Sequence, residues 1–302
     1  MILPSLVLPS YFNFTSTQAG IDSPEQCLDI NHYKSYPWSV VYQYNSRGYR
    51  DAEWPKDLDN AIWCFGDSFT VGIGSTHSHT WTQQLQHHSG IRTINIGMNG
   101  ASNNWIARKI CEFSESDIRP RAIAIHWSYL HRRETNAWAL EPIVDRLWQK
   151  FYSQIRDSAW PECKHFRGFE LLPNFIKQEI TTQHLDPVRD YWFRYDYEKT
   201  VDEDRMMEFD VDATPEQDVD NLLDAIHSVE QLGLPVIHSF IPNYAPDYAT
   251  QTRIEQYCLQ QGYRVVTDLR ILDRARDGHH YDILTAQWVA MQVMSQMTSS
   301  KI

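Results

Sequence analysis

The sequence predicts an α/β fold, a three-layer α/β/α sandwich around a five-stranded parallel sheet, with an inserted and mostly helical region. Five short apolar runs rich in β-forming residues alternate with longer segments of helical pattern. Each run is apolar almost throughout, which is typical of strands covered on both faces, and the alternation with helices favours βαβ units. The predicted strands are residues 61–66, 92–97, 122–127, 234–240 and 263–269.

Four segments between and after these runs have the pattern of helices. The best marked is the second, in which Thr214 is a candidate N-cap, acidic residues occupy the first turn, and Gly233 is a stop signal. The four predicted helices are residues 101–116, 214–233, 253–262 and 283–297.

Two parts of the chain do not fit the alternation. Residues 1–60 are rich in Pro, Tyr, Asn and Ser without a sustained period, and we expect them to form an N-terminal extension packed on the core. Residues 131–213 separate the third and fourth predicted strands and are rich in aromatic residues. A segment of this length is not an ordinary loop, so we expect an insertion within a second unit that spans residues 61–302.

The composition predicts a globular protein with an acidic surface. Hydrophobic residues make up 42% of the 302 residues, and 39 Asp and Glu outnumber 27 Lys and Arg, for a net charge of −12. An acidic surface repels phosphate backbones, so we expect no nucleic-acid partner.

The cysteines and the N-terminus bear on the compartment. The five cysteines are scattered without a CxxC pair, which favours neither a zinc knuckle nor a disulfide framework and indicates the cytoplasm or another reducing compartment. Residues 1–14 contain two prolines and no basic region, so we predict no signal peptide. We also predict no membrane span, because no apolar run approaches the roughly 18 residues that a span requires.

Ser68 is the candidate nucleophile. It follows the first predicted strand by two residues, in the stretch GDSFT (66–70), where a strand turns into a helix. Ligands of open α/β sheets bind at the carboxyl ends of strands, and a backbone N–H at such a turn can face an anion. The alternative is that Ser68 only caps the helix, because Ser and Asp are common N-caps. A nucleophilic serine further requires a base and a group that orients the base.

Candidates for the base and its partner stand near the C-terminus. Asp277 and His280 are three residues apart before the last predicted helix, a spacing that lets the carboxylate fix the tautomer of an imidazole placed over the serine. His279 is an alternative base, and Asp277 has Arg274 and Arg276 as alternative partners.

Two glycines stand at the end of the second predicted strand, at the same edge of the sheet. Gly97 and Gly100 lie in the stretch NIGMNGAS (95–102). A glycine there lets a backbone N–H approach a substrate without a Cβ in the way. Backbone N–H groups of this kind stabilise the oxyanion of an acyl-transfer reaction.

Other types of site fit the sequence less well. The glycines after Ser68 lack the lysine of a phosphate-binding loop, and the GxSxG elbow is absent. Four histidines invite a metal interpretation but do not form an HExxH motif, so we predict no metal and no cofactor. These histidines are His77, His79, His87 and His88.

With these motifs, the sequence resembles the SGNH, or GDSL-type, hydrolase family, whose fold is flavodoxin-like. The resemblance lies in GDSFT, in NIGMNGAS and in DGHH (277–280) with the segment that follows it. It implies that Ser68 is the nucleophile, that Asp277 and His280 complete a triad, and that Gly100 donates to the oxyanion. The stretch NSRGYRD (45–51) also resembles a segment upstream of the first motif in some members, whereas residues 131–213 are not covered.

The third motif departs from the family pattern. The family usually has GxND after its third strand, and its Asn side chain donates to the oxyanion. Ser128 stands at that position here, and its hydroxyl can donate one hydrogen bond. Asn103 and Asn104 are candidates to compensate for the missing amide. Arg132 and Arg133 are candidates to bind a substrate carboxylate or phosphate, or else to bridge to acids such as Glu134.

The resemblance implies a serine esterase that hydrolyses a small acyl ester through an acyl-enzyme, with an O-acetylated carbohydrate as the favoured substrate. Its triad would be Ser68, His280 and Asp277, and its oxyanion donors would be Ser68, Gly100 and Ser128. The alternatives are a non-catalytic protein on the same fold, which binds glycans or is a structural component of a virion or a surface, and a carbohydrate O-acyltransferase.

Overall fold

In the computed structural model of the protein, the residues described are 15–19, 22–130, 132, 178, 214–267 and 269–298. The predicted insertion therefore lies outside the described residues, apart from Arg132 and Gln178.

The core of the described chain is a parallel sheet of four strands, which confirms the predicted α/β fold and the first four predicted strands. The strand order is β4–β3–β5–β6, and every residue of the four strands is buried, as expected of a sheet covered on both faces. The strands are β3 (Ile62–Gly66), β4 (Thr93–Gly97), β5 (Ala122–Trp127) and β6 (Val236–Phe240).

The fifth strand of the prediction is not confirmed. Within residues 263–269, Val265 forms one isolated parallel bridge with His238 of β6. The His238 N–H donates to the Arg264 carbonyl and the Val266 N–H donates to the His238 carbonyl, both at 2.8 Å. The pairing is limited to this bridge, so the sheet has four strands among the described residues.

All four predicted helices are present, with shifted bounds. Thr214 caps α5 (Pro215–Glu230) through a capping box with Gln217, and this helix ends just before Gly233. Asp247 caps α6 (Tyr248–Gln260), which begins five residues earlier than predicted. None of the helices in the described ranges is both long and apolar enough to cross a membrane. The helices are α1 (Ile30–Ser35), α2 (Ser68–Val71), α3 (Trp81–Ser89), α4 (Asn103–Ser114), α5 (Pro215–Glu230), α6 (Tyr248–Gln260) and α7 (Ile283–Thr298).

The helices pack in pairs around the sheet, and the N-terminal segment packs beside them. Helix α3 contacts α7, and α4 contacts α5. Near the N-terminus, β1 (Thr15–Ser16) pairs antiparallel with β2 (Tyr42–Gln43). Tyr42 belongs to a small apolar cluster with Val71 and Ile73. The N-terminal segment is therefore in contact with the chain that directly follows Ser68.

Candidate active site

The turn after β3 places Ser68 at the carboxyl edge of the sheet. A Cβ on Gly66 would clash with the Thr70 hydroxyl and lie 2.7 Å from the His126 carbonyl oxygen, so only glycine fits the end of this strand. Asp67 is the N-cap of α2, and its Oδ1 accepts the Phe69 N–H at 3.0 Å. The capping function thus belongs to Asp67, which leaves the Ser68 hydroxyl free for another partner.

That partner is His280, and the structure brings the three predicted triad residues together. The Ser68 Oγ lies 2.7 Å from His280 Nε2, and His280 Nδ1 lies 2.5 Å from Asp277 Oδ2. An ionised carboxylate can only accept hydrogen bonds, so Nδ1 carries the proton and Nε2 has a lone pair to accept the serine proton. All three side chains are buried, and Ser68 is 4% exposed.

The Asp277 carboxylate is held in its ionised form. Its Oδ1 accepts the backbone N–H groups of His279 at 2.9 Å and His280 at 3.0 Å. Burial alone would raise the pKa of Asp277, but the electrostatic attraction and hydrogen bond of the His280 imidazole and the two backbone N–H groups outweigh it, so its pKa is lowered. Asp277 therefore stays charged and orients the imidazole.

The alternative base and the alternative partners of Asp277 are engaged elsewhere. His279 Nε2 lies 3.3 Å from the Tyr129 hydroxyl, and burial lowers the pKa of His279 to about 4. Arg276 forms an ion pair with Asp22. Arg274 donates to the backbone carbonyls of Gly278 and His279. Asp277 is thereby left to His280.

Phe69 and the segment after His280 form the apolar wall of the triad. The Phe69 ring centroid lies 4.5 Å from that of His280 and 4.7 Å from that of Tyr281. Because Phe69 is adjacent to Ser68, one residue packs against the base while its neighbour carries the hydroxyl. This packing limits the rotation of the imidazole away from Ser68.

A buried chain of polar side chains that the sequence did not reveal lies behind this wall. His126 Nε2 lies 2.9 Å from the Tyr281 hydroxyl, and His126 Nδ1 lies 2.8 Å from Ser239 Oγ. Ser239 gives its own proton to the Ile125 carbonyl, so it accepts from Nδ1, and the Tyr281 hydroxyl donates to Nε2. The chain anchors Tyr281, the residue next to His280, to β5 and β6.

Gly97 is the last residue of β4 and Gly100 lies in the turn that follows, beside the nucleophile turn. The Met98 N–H donates to the Gly66 carbonyl at 3.0 Å, and the Asn95 side chain donates to the Thr70 carbonyl at 2.9 Å. Gly100 has a φ of 77°, a conformation that favours glycine. The structure therefore places the second predicted motif against the first.

Ser128 does not have its hydroxyl free. The hydroxyl donates to Asp67 Oδ2 at 2.7 Å. Arg132 Nη1 donates to the same Asp67 oxygen at 2.9 Å and to Ser128 Oγ at 3.0 Å. The proton predicted to reach an oxyanion is thus held by a carboxylate in this structure.

The two asparagines considered as substitutes are also engaged. Asn103 Oδ1 accepts the Ser128 N–H at 2.8 Å, and its amide nitrogen lies within 3.4 Å of the Ser128 and Tyr129 carbonyls. Asn104 exchanges two hydrogen bonds with Asn221 of α5, at 2.7 and 2.9 Å. Asn103 therefore stabilises the turn after β5, and Asn104 joins α4 to α5.

The stretch NSRGYRD has a role that sequence reasoning noted only as a resemblance. The guanidinium of Arg50 is fully buried and donates to four backbone carbonyls, three of which belong to the chain directly after Ser68. The four acceptors are Val41, Val71, Gly72 and Ser75. Arg50 thus fixes the C-terminal end of α2 and the loop that follows.

The four histidines considered as metal ligands lie in separate environments and do not form one cluster. His79 Nδ1 lies 2.8 Å from Asp282 Oδ1, and burial lowers the pKa of His77 to about 4. The ring centroids of His87 and His88 lie 5.2 Å apart. In the described part of the chain, no group of three or more His, Cys, Asp or Glu residues is placed to hold a metal ion.

Comparison with known proteins adds a likeness in structure. No protein-family model and no curated protein matches the sequence. Among solved structures, the chain is similar to a member of the lipolytic protein G-D-S-L family from Veillonella parvula DSM 2008. The two are 10% identical with a TM-score of 0.38, over 78% of this chain and 96% of that chain. A likeness this distant says nothing about activity, so the functional argument rests on the geometry around Ser68.

Proposed function

We propose that the protein is a serine esterase of the SGNH type that hydrolyses a small acyl ester through an acyl-enzyme. The observation that carries the proposal is the continuous hydrogen-bonded chain from Ser68 through His280 to Asp277. A serine hydroxyl becomes a nucleophile when a base accepts its proton and a third group orients that base, and this chain supplies both.

In the first half of the reaction, Ser68 Oγ attacks the ester carbonyl carbon while its proton passes to His280 Nε2. The ionised Asp277 stabilises the imidazolium that forms. When the tetrahedral intermediate collapses, the carbon–oxygen bond to the alcohol breaks and His280 returns the proton to the leaving alcohol. Ser68 is left as an ester of the acyl group.

In the second half, a water molecule replaces the alcohol. His280 takes a proton from the water as its oxygen attacks the acyl carbonyl, and it returns this proton to Ser68 when the second intermediate collapses. The products are a carboxylic acid and the free enzyme. The same three residues thus serve both halves.

The backbone N–H groups of Ser68 and Gly100 are the proposed oxyanion donors. Among the described residues, neither N–H donates to another group of the protein, so both are available. Preorganised backbone donors stabilise the negative charge that develops on the carbonyl oxygen. Ser128 becomes a third donor only when its hydroxyl group turns from Asp67 toward the oxyanion.

The site favours a small acyl group. Ser68 is only 4% exposed, and Phe69 packs directly against the base. A nucleophile this enclosed suits an acetyl or another short acyl group better than a long chain. We therefore propose an O-acetylated carbohydrate as the substrate class.

The test is covalent labelling with a fluorophosphonate probe, which reacts with activated serines. The parent chain is expected to be labelled, and S68A is not. The matched control is S114A, in which the serine removed stands at the end of α4 and donates only to the Cys111 carbonyl. S114A is expected to be labelled like the parent. In a separate assay, the unlabelled parent is expected to release acetate from p-nitrophenyl acetate and from an O-acetylated polysaccharide, and prior labelling is expected to abolish this release.

Two results would contradict the proposal. Absence of labelling in the folded parent chain would show that Ser68 is not an activated nucleophile. Labelling without turnover in water, together with acyl transfer to an added sugar, would show that the protein is an acyltransferase and not an esterase.

A further inference from the structure

The loops that carry the nucleophile and its base are in direct contact. The Arg276 N–H donates to the Gly74 carbonyl at 3.0 Å, and the Ser75 hydroxyl donates to the Tyr281 carbonyl. Gly74 belongs to the loop after α2, and Arg276 immediately precedes Asp277. The relative position of these two loops therefore sets the distance between Ser68 and His280.

A third segment, from the N-terminal part of the chain, links both loops through Asp22. This carboxylate is fully buried, and it accepts from Arg276 Nε at 2.9 Å and from Arg276 Nη2 at 2.6 Å. Asp22 Oδ2 also accepts the Tyr42 hydroxyl proton at 2.5 Å. The Tyr42 oxygen in turn accepts the Gly74 N–H at 2.7 Å. A continuous set of hydrogen bonds thus runs from Gly74 through Tyr42 and Asp22 to Arg276.

The ion pair between Asp22 and Arg276 is rigid because of its bidentate geometry. A guanidinium that meets a carboxylate through two parallel N–H donors is fixed in both distance and orientation. Burial opposes the charge of Arg276, but Asp22 outweighs that effect, and the pKa of Arg276 is raised. The Arg276 guanidinium carbon also lies 4.7 Å from the centroid of the Tyr33 ring, and this contact adds a second restraint from the N-terminal part of the chain.

We propose that Asp22 is a positioning residue of the triad, which holds the Asp277–His280 loop in register with the loop after Ser68. The proposal rests on the proposed function. Asp22 touches no reacting atom and acts through Arg276 and through Tyr42. Loss of its charge lets the base loop shift relative to the nucleophile, and displacements of about 1 Å are sufficient to slow a reaction of this kind by roughly 100-fold.

The test compares three variants with the parent chain. D22N removes the charge and keeps the size of the side chain. Y42F removes only the hydroxyl between Gly74 and Asp22. The matched control is E112Q, the same carboxylate-to-amide change at a residue that forms ion pairs with Arg108 and Lys109 on α4.

The readouts are the rate constant and the end-point of fluorophosphonate labelling, together with kcat and KM for p-nitrophenyl acetate, all measured well below each variant's melting temperature. D22N is expected to lower the labelling rate constant and kcat by about 10- to 100-fold, with KM changed by no more than about twofold and a complete end-point. Y42F is expected to lower both rates by about 3- to 10-fold, and E112Q leaves them unchanged.

These readouts separate positioning from fold stability. A purely structural Asp22 lowers the melting temperature or the labelled end-point but leaves the rate constant of the folded molecules at the parent value, and that result overturns the proposal. If D22N does not fold, Y42F decides, and a parental rate constant in Y42F overturns the proposal as well. Failure of the proposed function looks different, because the parent chain itself is then not labelled at Ser68, and the positioning proposal falls with it.

Discussion

The Ser128 hydroxyl donates a 2.7 Å hydrogen bond to Oδ2 of Asp67, the residue that precedes the proposed nucleophile. Arg132 Nη1 adds an ion pair at 2.9 Å to the same oxygen, and the Phe69 N–H donates to the other. A buried carboxylate requires such partners, because burial of an unpaired charge is costly. The turn after β5 is therefore joined to the nucleophile turn through Asp67.

This contact predicts a mild phenotype for S128A. Because the Ser128 proton is held by Asp67, its removal is expected to lower kcat for p-nitrophenyl acetate by less than about tenfold, whereas the loss of a true oxyanion donor costs roughly 10²–10³. The measurement is kcat and KM, determined over a range of p-nitrophenyl acetate concentrations that reaches saturation. A loss of 100-fold or more with KM unchanged would instead assign Ser128 to the oxyanion, as the family pattern implies.

The parts of the site that the sequence predicted are those with a local signal. Ser68 was predicted because a polar residue after a buried strand lies at the sheet edge, and the Asp277–His280 pair was predicted from its spacing. The structure brings these three side chains together. The position of Ser68 after the strand does not by itself distinguish a nucleophile from a cap, because Asp67 and Ser68 are both good N-caps. The sequence favours the nucleophile only through the resemblance of its motifs to the SGNH family.

The unpredicted parts depend on pairing between distant residues. Asp22 and Arg276 are 254 residues apart, and His126 and Ser239 are 113 apart, so no periodicity or spacing relates them. The fifth predicted strand is not confirmed for a related reason. An apolar run indicates burial, but it does not show whether the run pairs along its length. Within the described residues of this run, 263–267 and 269, the structure has a single bridge at Val265.

Arg50 is expected to be required for the correct position of the loop that follows Ser68. Its buried guanidinium reaches the carbonyls of both α2 and Ser75, which the single nitrogen of a lysine cannot do, so R50K is expected to lower the labelling rate constant by more than about tenfold. The control is R47K, in the same motif, where the guanidinium lies 5.5 Å from the Trp54 ring centroid. Labelling of R50K at the parental rate would contradict this role.

Gly74 and Gly90 provide a matched pair for the contact between the two loops. Both have positive φ, 76° and 67°, so alanine is expected to strain the backbone at each position by about 1 kcal/mol. At Gly90 a Cβ meets nothing within 4 Å, whereas at Gly74 it lies 2.9 Å from Asp277 Oδ1. G74A is therefore expected to lower kcat by more than about tenfold, and G90A only to lower stability. Equal kcat values for the two variants would contradict the contact.

The acid sensitivity of the fold is expected to depend on His126. Burial lowers its pKa from 6.5 to about 4, so between these values the unfolded chain binds a proton that the folded chain does not. The contribution of a neutral His126 is complete above pH 6.5 and is lost as the pH falls toward about 4. The free energy of unfolding is therefore expected to fall by about 2.5 kcal/mol more in the parent than in H126N between about pH 7 and about pH 4.5.

The measurement for His126 is urea unfolding of the parent, H126N and the control H88N at both pH values. H126N also loses the hydrogen bond to the Tyr281 hydroxyl, and this lowers its stability at every pH. The diagnostic quantity is therefore the change with pH and not the stability itself. H88N, which replaces an exposed histidine, is expected to follow the parent. If H126N had the same pH dependence as the parent, the pKa of His126 would not be lowered in the folded state. The assignment of a neutral His126 between Tyr281 and Ser239 would then be wrong.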